Sequence, residues 1–286
     1  MSKPKVDIHP HIVSPDTARY PLDPLGGKRS NWSADAHSNT AEELLQAMND
    51  CGIAKAALVH SSTTYGYDNS LVLDAVAANP DRFAAVCSID MMAPDAVDRL
   101  TEIIAQGCCG IRLFTAGSTM TGQADWLNDP KTFPVWKYCE EISFPICVQA
   151  NPSGMGMLRD VMDRHPGVPV LIDHIGRPNL SSGPPYADAD QVLEIGRKYP
   201  QTYVKFTPSA WDNVHQGRAS PETFMPLLVQ AFGARRIAWG SNFPASKGTL
   251  ADLVAKIEGV FDFMSEDDLA EVMGGTAMRI YPVLTC

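Results

Sequence analysis

Asp7, His9 and His11 lie two residues apart in the run Val6-Asp7-Ile8-His9-Pro10-His11. An extended backbone turns residues of that spacing to one face. Three polar groups on the inward face of a buried strand would cost several kcal/mol to desolvate without partners or a purpose. Two imidazoles beside a carboxylate can hold a cation, polarise a carbonyl or move a proton, so the pattern is read as a site. Other apolar runs also end in polar residues: His60-Ser61, Asp90, Arg112, Gln149, Asp173-His174 ahead of Gly176-Arg177-Pro178, Lys205, and Ser241-Asn242. Each has a plainer reading as well. His60 fits a core histidine bonded to backbone, and Arg112 and Lys205 fit buried ion-pair partners of Asp7, Asp90 or Asp173. His174, set among Leu171, Ile172 and Ile175, is expected to be buried.

The elements that must position these residues alternate regularly. Strand-like runs fall at Val6 to His11, Ala56 to Ser61, Phe83 to Asp90, Gly110 to Thr115, Pro145 to Ala150, Val168 to Ile175, Tyr203 to Thr207 and Arg236 to Ser241. Between and after them lie amphipathic stretches: Thr40 to Asp50, Leu71 to Ala78, Pro94 to Gln106, Phe133 to Ile142, Met157 to His165, Asp188 to Tyr199, Pro221 to Phe232, Thr249 to Met264 and Glu266 to Arg279. Thr40 with Glu43, Ser220 before Pro221, and Ser265 before an acidic turn predict helix N-termini. Eight strand-helix repeats predict an α/β fold, a single (β/α)8 barrel of the TIM type spanning residues 1–286. A doubly wound open sheet fits less well, because no Gly-x-Gly-x-x-Gly follows a strand. In a barrel, chemistry belongs at the carboxyl ends of the strands, where the polar residues gather. The segments Tyr20 to Asn39 and Thr115 to Asp129, with Met120 and Trp126, are expected to cover the mouth.

A net charge of −10 opposes contact with nucleic acid or an anionic membrane surface and favours a small-molecule partner. No run approaches the ~18 apolar residues of a membrane span. Seven cysteines, odd in number and without Cys-x-x-Cys, read as reduced thiols. With no signal peptide ahead of the first strand, a cytoplasmic protein is expected. Self-association into a homo-oligomer is left open.

Taken together, the motifs resemble the amidohydrolase superfamily. They are Asp7-x-His9-x-His11, Gly110-Ile111-Arg112-Leu113, Leu171-Ile172-Asp173-His174-Ile175-Gly176, Val204-Lys205-Phe206, Trp239-Gly240-Ser241-Asn242-Phe243-Pro244 and Gly274-Gly275-Thr276-Ala277-Met278-Arg279. The nearest branch is similar to the 2-pyrone-4,6-dicarboxylate lactonases and related sugar-lactone hydrolases and isomerases. The resemblance runs along essentially the whole chain and implies a distorted barrel with a hydrolytic, catabolic site at its mouth. It implies His9, His11, His174 and residue 242 as catalytic positions.

Two departures matter. Metal-dependent relatives take a histidine or bridging lysine from the middle strands, where this chain has only Gln149, a poor ligand for zinc. No metal is therefore expected; zinc or manganese on His9, His11 and His174 is the alternative. The resemblance also implies an aspartate where Asn242 stands, and an amide cannot take a proton from water at neutral pH. Three readings remain: an engineered Asp-to-Asn exchange, a reaction such as lactone isomerisation that needs no such base, or a relative that only binds. The expected substrate is a small anionic lactone contacted by Arg112, Gln149, Arg177, Lys205 and His60. A metal-dependent decarboxylase of aromatic or muconate-type acids is the rival reaction class.

Overall fold

The computed structural model describes residues 3–35, 39–115 and 126–285. Eight strands pair in parallel and in sequence order: β1 (Lys5–Asp7), β2 (Ile53–Val59), β3 (Phe83–Cys87), β4 (Cys108–Phe114), β5 (Ile146–Gln149), β6 (Val170–Ile172), β7 (Thr202–Phe206) and β8 (Ile237–Trp239). They form a nearly closed barrel wrapped by helices, the predicted TIM-type architecture. Among the described residues β1 and β8 share no ladder. Their seam is closed instead by Asp7, whose Oδ1 accepts the Ser241 N–H at 2.9 Å, and by the His11 N–H donating to the Phe243 carbonyl at 2.8 Å.

All eight expected runs are strands, but several stop short of the mouth. β1 ends at Asp7 instead of His11, because the Asp7 carboxylate takes the His9 N–H at 3.0 Å and draws the backbone out of the ladder. β3 ends at Cys87 instead of Asp90, and β8 at Trp239 instead of Ser241. β6 ends at Ile172 instead of Ile175 because His174, Ile175, Gly176 and Arg177 all adopt left-handed backbone, with φ between 50° and 72°. A β-branched residue such as Ile175 there stores on the order of 1–3 kcal/mol of strain, and such strain clusters at functional sites.

The Thr40 capping box forms as the sequence predicts, and the Ser265 side chain accepts from the Asp268 N–H. Ser220 makes no side-chain cap; its hydroxyl meets that of Thr223 at 3.1 Å. The predicted stretch Glu266 to Arg279 is not one α-helix, since a π-helical segment, Glu271–Gly275, interrupts it. There Gly274 lies against the Pro4 carbonyl so closely that a Cβ would sit 1.9 Å from the oxygen. In the first loop a short helix, Asn31–Asp35, precedes an antiparallel bridge between Val13 and Asn39. Of the second predicted cover, residues 116–125 lie outside the described residues.

Packing forms two layers. A large apolar cluster lies between strands and helices. Inside the lumen, Val6, Ile8, Ala57, Val59, Ala84, Val86, Cys147, Leu171 and Ala238 pack with Ile280, Tyr281 and Leu284 from the C-terminal segment. Tyr281 fills the place where a side chain at Gly110, early in β4, would otherwise project, 2.8 Å from a built Cβ. The amino end of the barrel is thus plugged, and the carboxyl end is left for the polar groups.

Candidate active site

Asp173, placed by the strained turn after β6, is fully buried and is the hub of the site. Its Oδ2 accepts the Arg112 Nε–H at 2.7 Å, and its Oδ1 lies 3.2 Å from His9 Nδ1 and 3.3 Å from Lys205 Nζ. Arg112 comes from β4, Lys205 from β7 and His9 from just beyond β1, so one carboxylate joins four parts of the barrel. Arg112 also donates through Nη2 to the Gln149 Oε1 of β5 and lies over the Phe114 ring, 4.3 Å from its centroid. Two cations against one carboxylate leave the hub with a net positive charge.

The His9 ring lies 4.9 Å from that of His11 and 4.8 Å from that of His174. The three imidazoles therefore converge, as the sequence predicts. Gly240 permits this approach, since a Cβ at that position would sit 2.5 Å from the His9 Cβ. His11 donates through Nδ1 to the Val59 carbonyl at 2.7 Å and stacks on Trp32 at 5.1 Å. His174 Nδ1 faces two hydroxyls, Thr207 Oγ1 at 2.8 Å and Ser209 Oγ at 3.3 Å.

Burial keeps all three rings neutral. It lowers His9 well below the usual histidine range, helped by the Lys205 cation, and pushes His11 down to about 3 with Arg112 adding to the effect. His174 is likewise held well below its ordinary value by burial and by the charges of Arg177 and Arg112. Burial opposes ionisation of Asp173 too, but the Arg112 and Lys205 cations hold its carboxyl well below the normal carboxylate range. A neutral imidazole has one N–H and one lone pair. His11 must keep its proton on Nδ1, because a carbonyl only accepts, and the Asp173 carboxylate favours the same tautomer for His9. Both rings then present lone pairs at Nε2, and that of His9 is buried with no hydrogen-bond partner. His174 Nε2 lies 3.5 Å from Arg112 Nη2, which can only donate, so its resting proton sits on Nδ1; the two hydroxyls there donate as well as accept, which lets the ring exchange tautomers.

Above these groups lies a cavity of about 150 Å³ lined by His11, Trp32, Arg112, Gln149, His174, Arg177 and Asn242, with Ser61 to Thr63 on one wall. Arg177 stands at the rim, largely exposed. Asn242, in left-handed backbone just past β8, donates through Nδ2 to Ser246 Oγ at 3.0 Å. The predicted catalytic residue His9, fully buried beneath the lining, and two predicted substrate contacts do not line this cavity. His60 is buried and bonded to the Gly66 carbonyl at 2.9 Å, the plainer of its two readings, and Lys205 lies deep in the lumen against Asp173. Asp173 and Trp32 join the site beyond the residues that the sequence motifs mark for it. Asp173 was legible as the one carboxylate adjacent to His174, whereas nothing near Trp32 in the chain marks it.

The donor atoms of His9, Asp173 and His174 lie within 4.8 Å of one another, so Asp173, not His11, completes the candidate metal-binding trio. That trio suits a divalent ion poorly. Both Asp173 oxygens already face cations, and the position after β8 offers an amide in place of a further carboxylate.

A parallel barrel with imidazoles, a buried carboxylate and arginine gathered at its carboxyl end has the arrangement of a TIM-type barrel enzyme. The chain belongs to the amidohydrolase family, whose model matches residues 6–283. It is 28% identical over 244 residues to the 4-sulfomuconolactone hydrolase of Hydrogenophaga intermedia, covering 84% of this chain and 74% of that protein. With the L-fucono-1,5-lactonase of Burkholderia ambifaria it shares 25% identity over 243 residues, 81% of each chain. A crystal structure described as a probable 2-pyrone-4,6-dicarboxylic acid hydrolase from Acinetobacter baumannii, with citric acid bound, superposes with a TM-score of 0.78 at 18% identity, covering 97% of this chain and 99% of that one. The same fold occurs with zinc in an amidohydrolase from Burkholderia multivorans (TM-score 0.78, 18% identity, 97% and 99% coverage). It also occurs with manganese in a dihydroxybenzoic acid decarboxylase from a Polaromonas species (0.69, 14%, 99% and 98%).

Proposed function

We propose that this protein hydrolyses the ester bond of a small, carboxylate-bearing lactone without a metal ion. The observation that carries the reading is the Asp173 hub, which holds neutral His9 and His174 beside neutral His11 at the base of a cationic cavity. Kinship with lactone hydrolases supplies the reaction class, and the net positive hub with Arg177 at the rim supplies affinity for an anionic ring. Of the two arginines that line the cavity, Arg177 is the one with no carboxylate partner among the described ion pairs, so it is the group we assign to the substrate carboxylate. Arg112 is already committed to Asp173 and supports the grip from below.

The tautomers divide the work. With its proton moved to Nε2, His174 can present an N–H to the ester carbonyl and, with Arg112, stabilise the oxyanion that forms on attack. His11 lines the cavity with a lone pair at Nε2, which suits it to receive a hydrogen bond from water or from the leaving hydroxyl, while His9 lies beneath the lining and packs against both rings. Asn242 orients water without activating it, because its amide oxygen accepts a hydrogen bond and does not bind a proton at neutral pH.

Asn242→Asp is the decisive test. Introducing the carboxylate should raise hydrolysis of an acidic lactone by orders of magnitude at similar substrate affinity. No gain on any such lactone overturns hydrolysis as the reaction and turns the reading towards isomerisation, which Asn242 itself favours, or towards binding alone. Among the described residues the cysteines are all free and no helix is long and apolar enough to cross a membrane. Free thiols fit a reducing compartment such as the cytoplasm.

A further inference from the structure

Lys205 is fully buried in the lumen of the barrel, below the cavity and outside its lining. Its Nζ lies 3.3 Å from Asp173 Oδ1 and 3.5 Å from Cys147 Sγ, and Asp173 is its ion-pair partner. Ala238 is its register partner on β8 and Cys147 faces the ammonium from β5, both small side chains beside the long stem. Burying an ammonium costs several kcal/mol even when it is paired, and apolar residues of similar volume are often neutral or better for stability. Packing alone therefore does not account for a lysine here. The substrate does not account for it either, because the side chain does not reach the cavity.

What Lys205 does reach is the carboxylate oxygen that His9 also faces. Around that point three donors of the kinds that zinc and cobalt accept lie within 4.8 Å of one another, in His9, Asp173 and His174. His9 Nε2 is buried without a partner. We propose that the Lys205 ammonium supplies, from within the barrel, the positive charge that a divalent ion would otherwise bring to His9 and Asp173, and that it thereby keeps such an ion out. Lysine blocks the site twice, by engaging one Asp173 oxygen and by repelling a second cation at close range. Arg112 engages the other oxygen but lines the cavity as well; Lys205 lines no cavity, and its charge also reaches the buried Asp7. The inference rests on the metal-free reading of the site and not on the identity of the substrate.

Replacing the ammonium with a neutral side chain of similar length should uncover a metal site. Lys205→Met is expected to take up one cobalt ion per chain, visible by elemental analysis and by the d–d absorption of tetrahedral cobalt. Its affinity for cobalt should exceed that of the native chain by about a hundredfold or more, once the repulsion is gone. The double variant Lys205→Met with Asp173→Asn should lose that gain. Native protein that carries a full equivalent of zinc or cobalt would overturn both this inference and the metal-free reading. Metal-free native protein, with a folded Lys205→Met variant that binds cobalt no tighter, would overturn this inference alone. Should Lys205→Met fail to fold by itself, refolding in cobalt is expected to recover folded protein with one bound ion, and failure to recover it counts against the inference equally.

Discussion

At the amino end of the lumen Val6, Ala57 and Ala84 close against Ile280, Tyr281 and Leu284; at the carboxyl end of the same eight strands, His9, Arg112, Asp173 and Lys205 close against one another. The first set is held by contact and is tolerant of shape as long as volume is kept. The second is held by charge, so each member fixes the others and none can be removed singly without leaving a buried group unpaired. A rigid apolar floor sets strand register, and the register brings side chains from β4 and β7 and from the segments following β1 and β6 onto a single carboxylate.

The largest break in this contrast should come from Asp173→Asn. It leaves Arg112 and Lys205 without their anion, and should cost about 3–5 kcal/mol of stability in a urea titration along with most activity. His174→Ala is expected to leave the melting midpoint nearly unchanged while lowering turnover about a hundredfold, on the order of 3 kcal/mol in the barrier, as for one lost oxyanion donor. Near-normal turnover would remove His174 from the proposed chemistry.

Acid should distinguish the two ends without mutation. His11 is held down to about 3, and His9 and His174 also lie well below 6.5, so between these values the unfolded chain binds protons that the folded chain refuses. Their contribution to stability is therefore complete above pH 6.5 and is lost as pH falls below it, by about 1.4 kcal/mol per pH unit for each such histidine. Unfolding midpoints followed from pH 7 to pH 4 give the slope, and a flat profile would mean that these rings titrate normally. The smallest effect is expected at the floor. The Tyr281 hydroxyl is buried with no hydrogen-bond partner, so Tyr281→Phe should change stability by less than about 1 kcal/mol, with any change towards greater stability, and should leave turnover alone.

The strands were legible because a buried parallel strand reads as a short β-branched run, and each of the eight predicted runs contains one. Their ends were less so. Nothing local to Val6-Asp7-Ile8-His9 says that Asp7 will bond the backbone of His9 and of Ser241, more than 230 residues away, and so end the strand early. His60 shows the same limit. Like His11 it stands at the end of a strand-like run, but in space one ring faces the Gly66 carbonyl and the other the cavity.

Residue types and their period fixed the inventory: eight strand-helix units, a histidine pair at the first mouth position, cations and amides at the others, and an amide after β8 where the resemblance implies an acid. Those are properties of local spacing and side-chain chemistry. Only the folded barrel decided that Asp173 is the centre, that Lys205 serves it from below, and which nitrogen of each imidazole holds the proton. Hydrogen-bond partners set tautomers and neighbouring charges set ionisation, and both come from residues that the chain keeps far apart until the barrel closes.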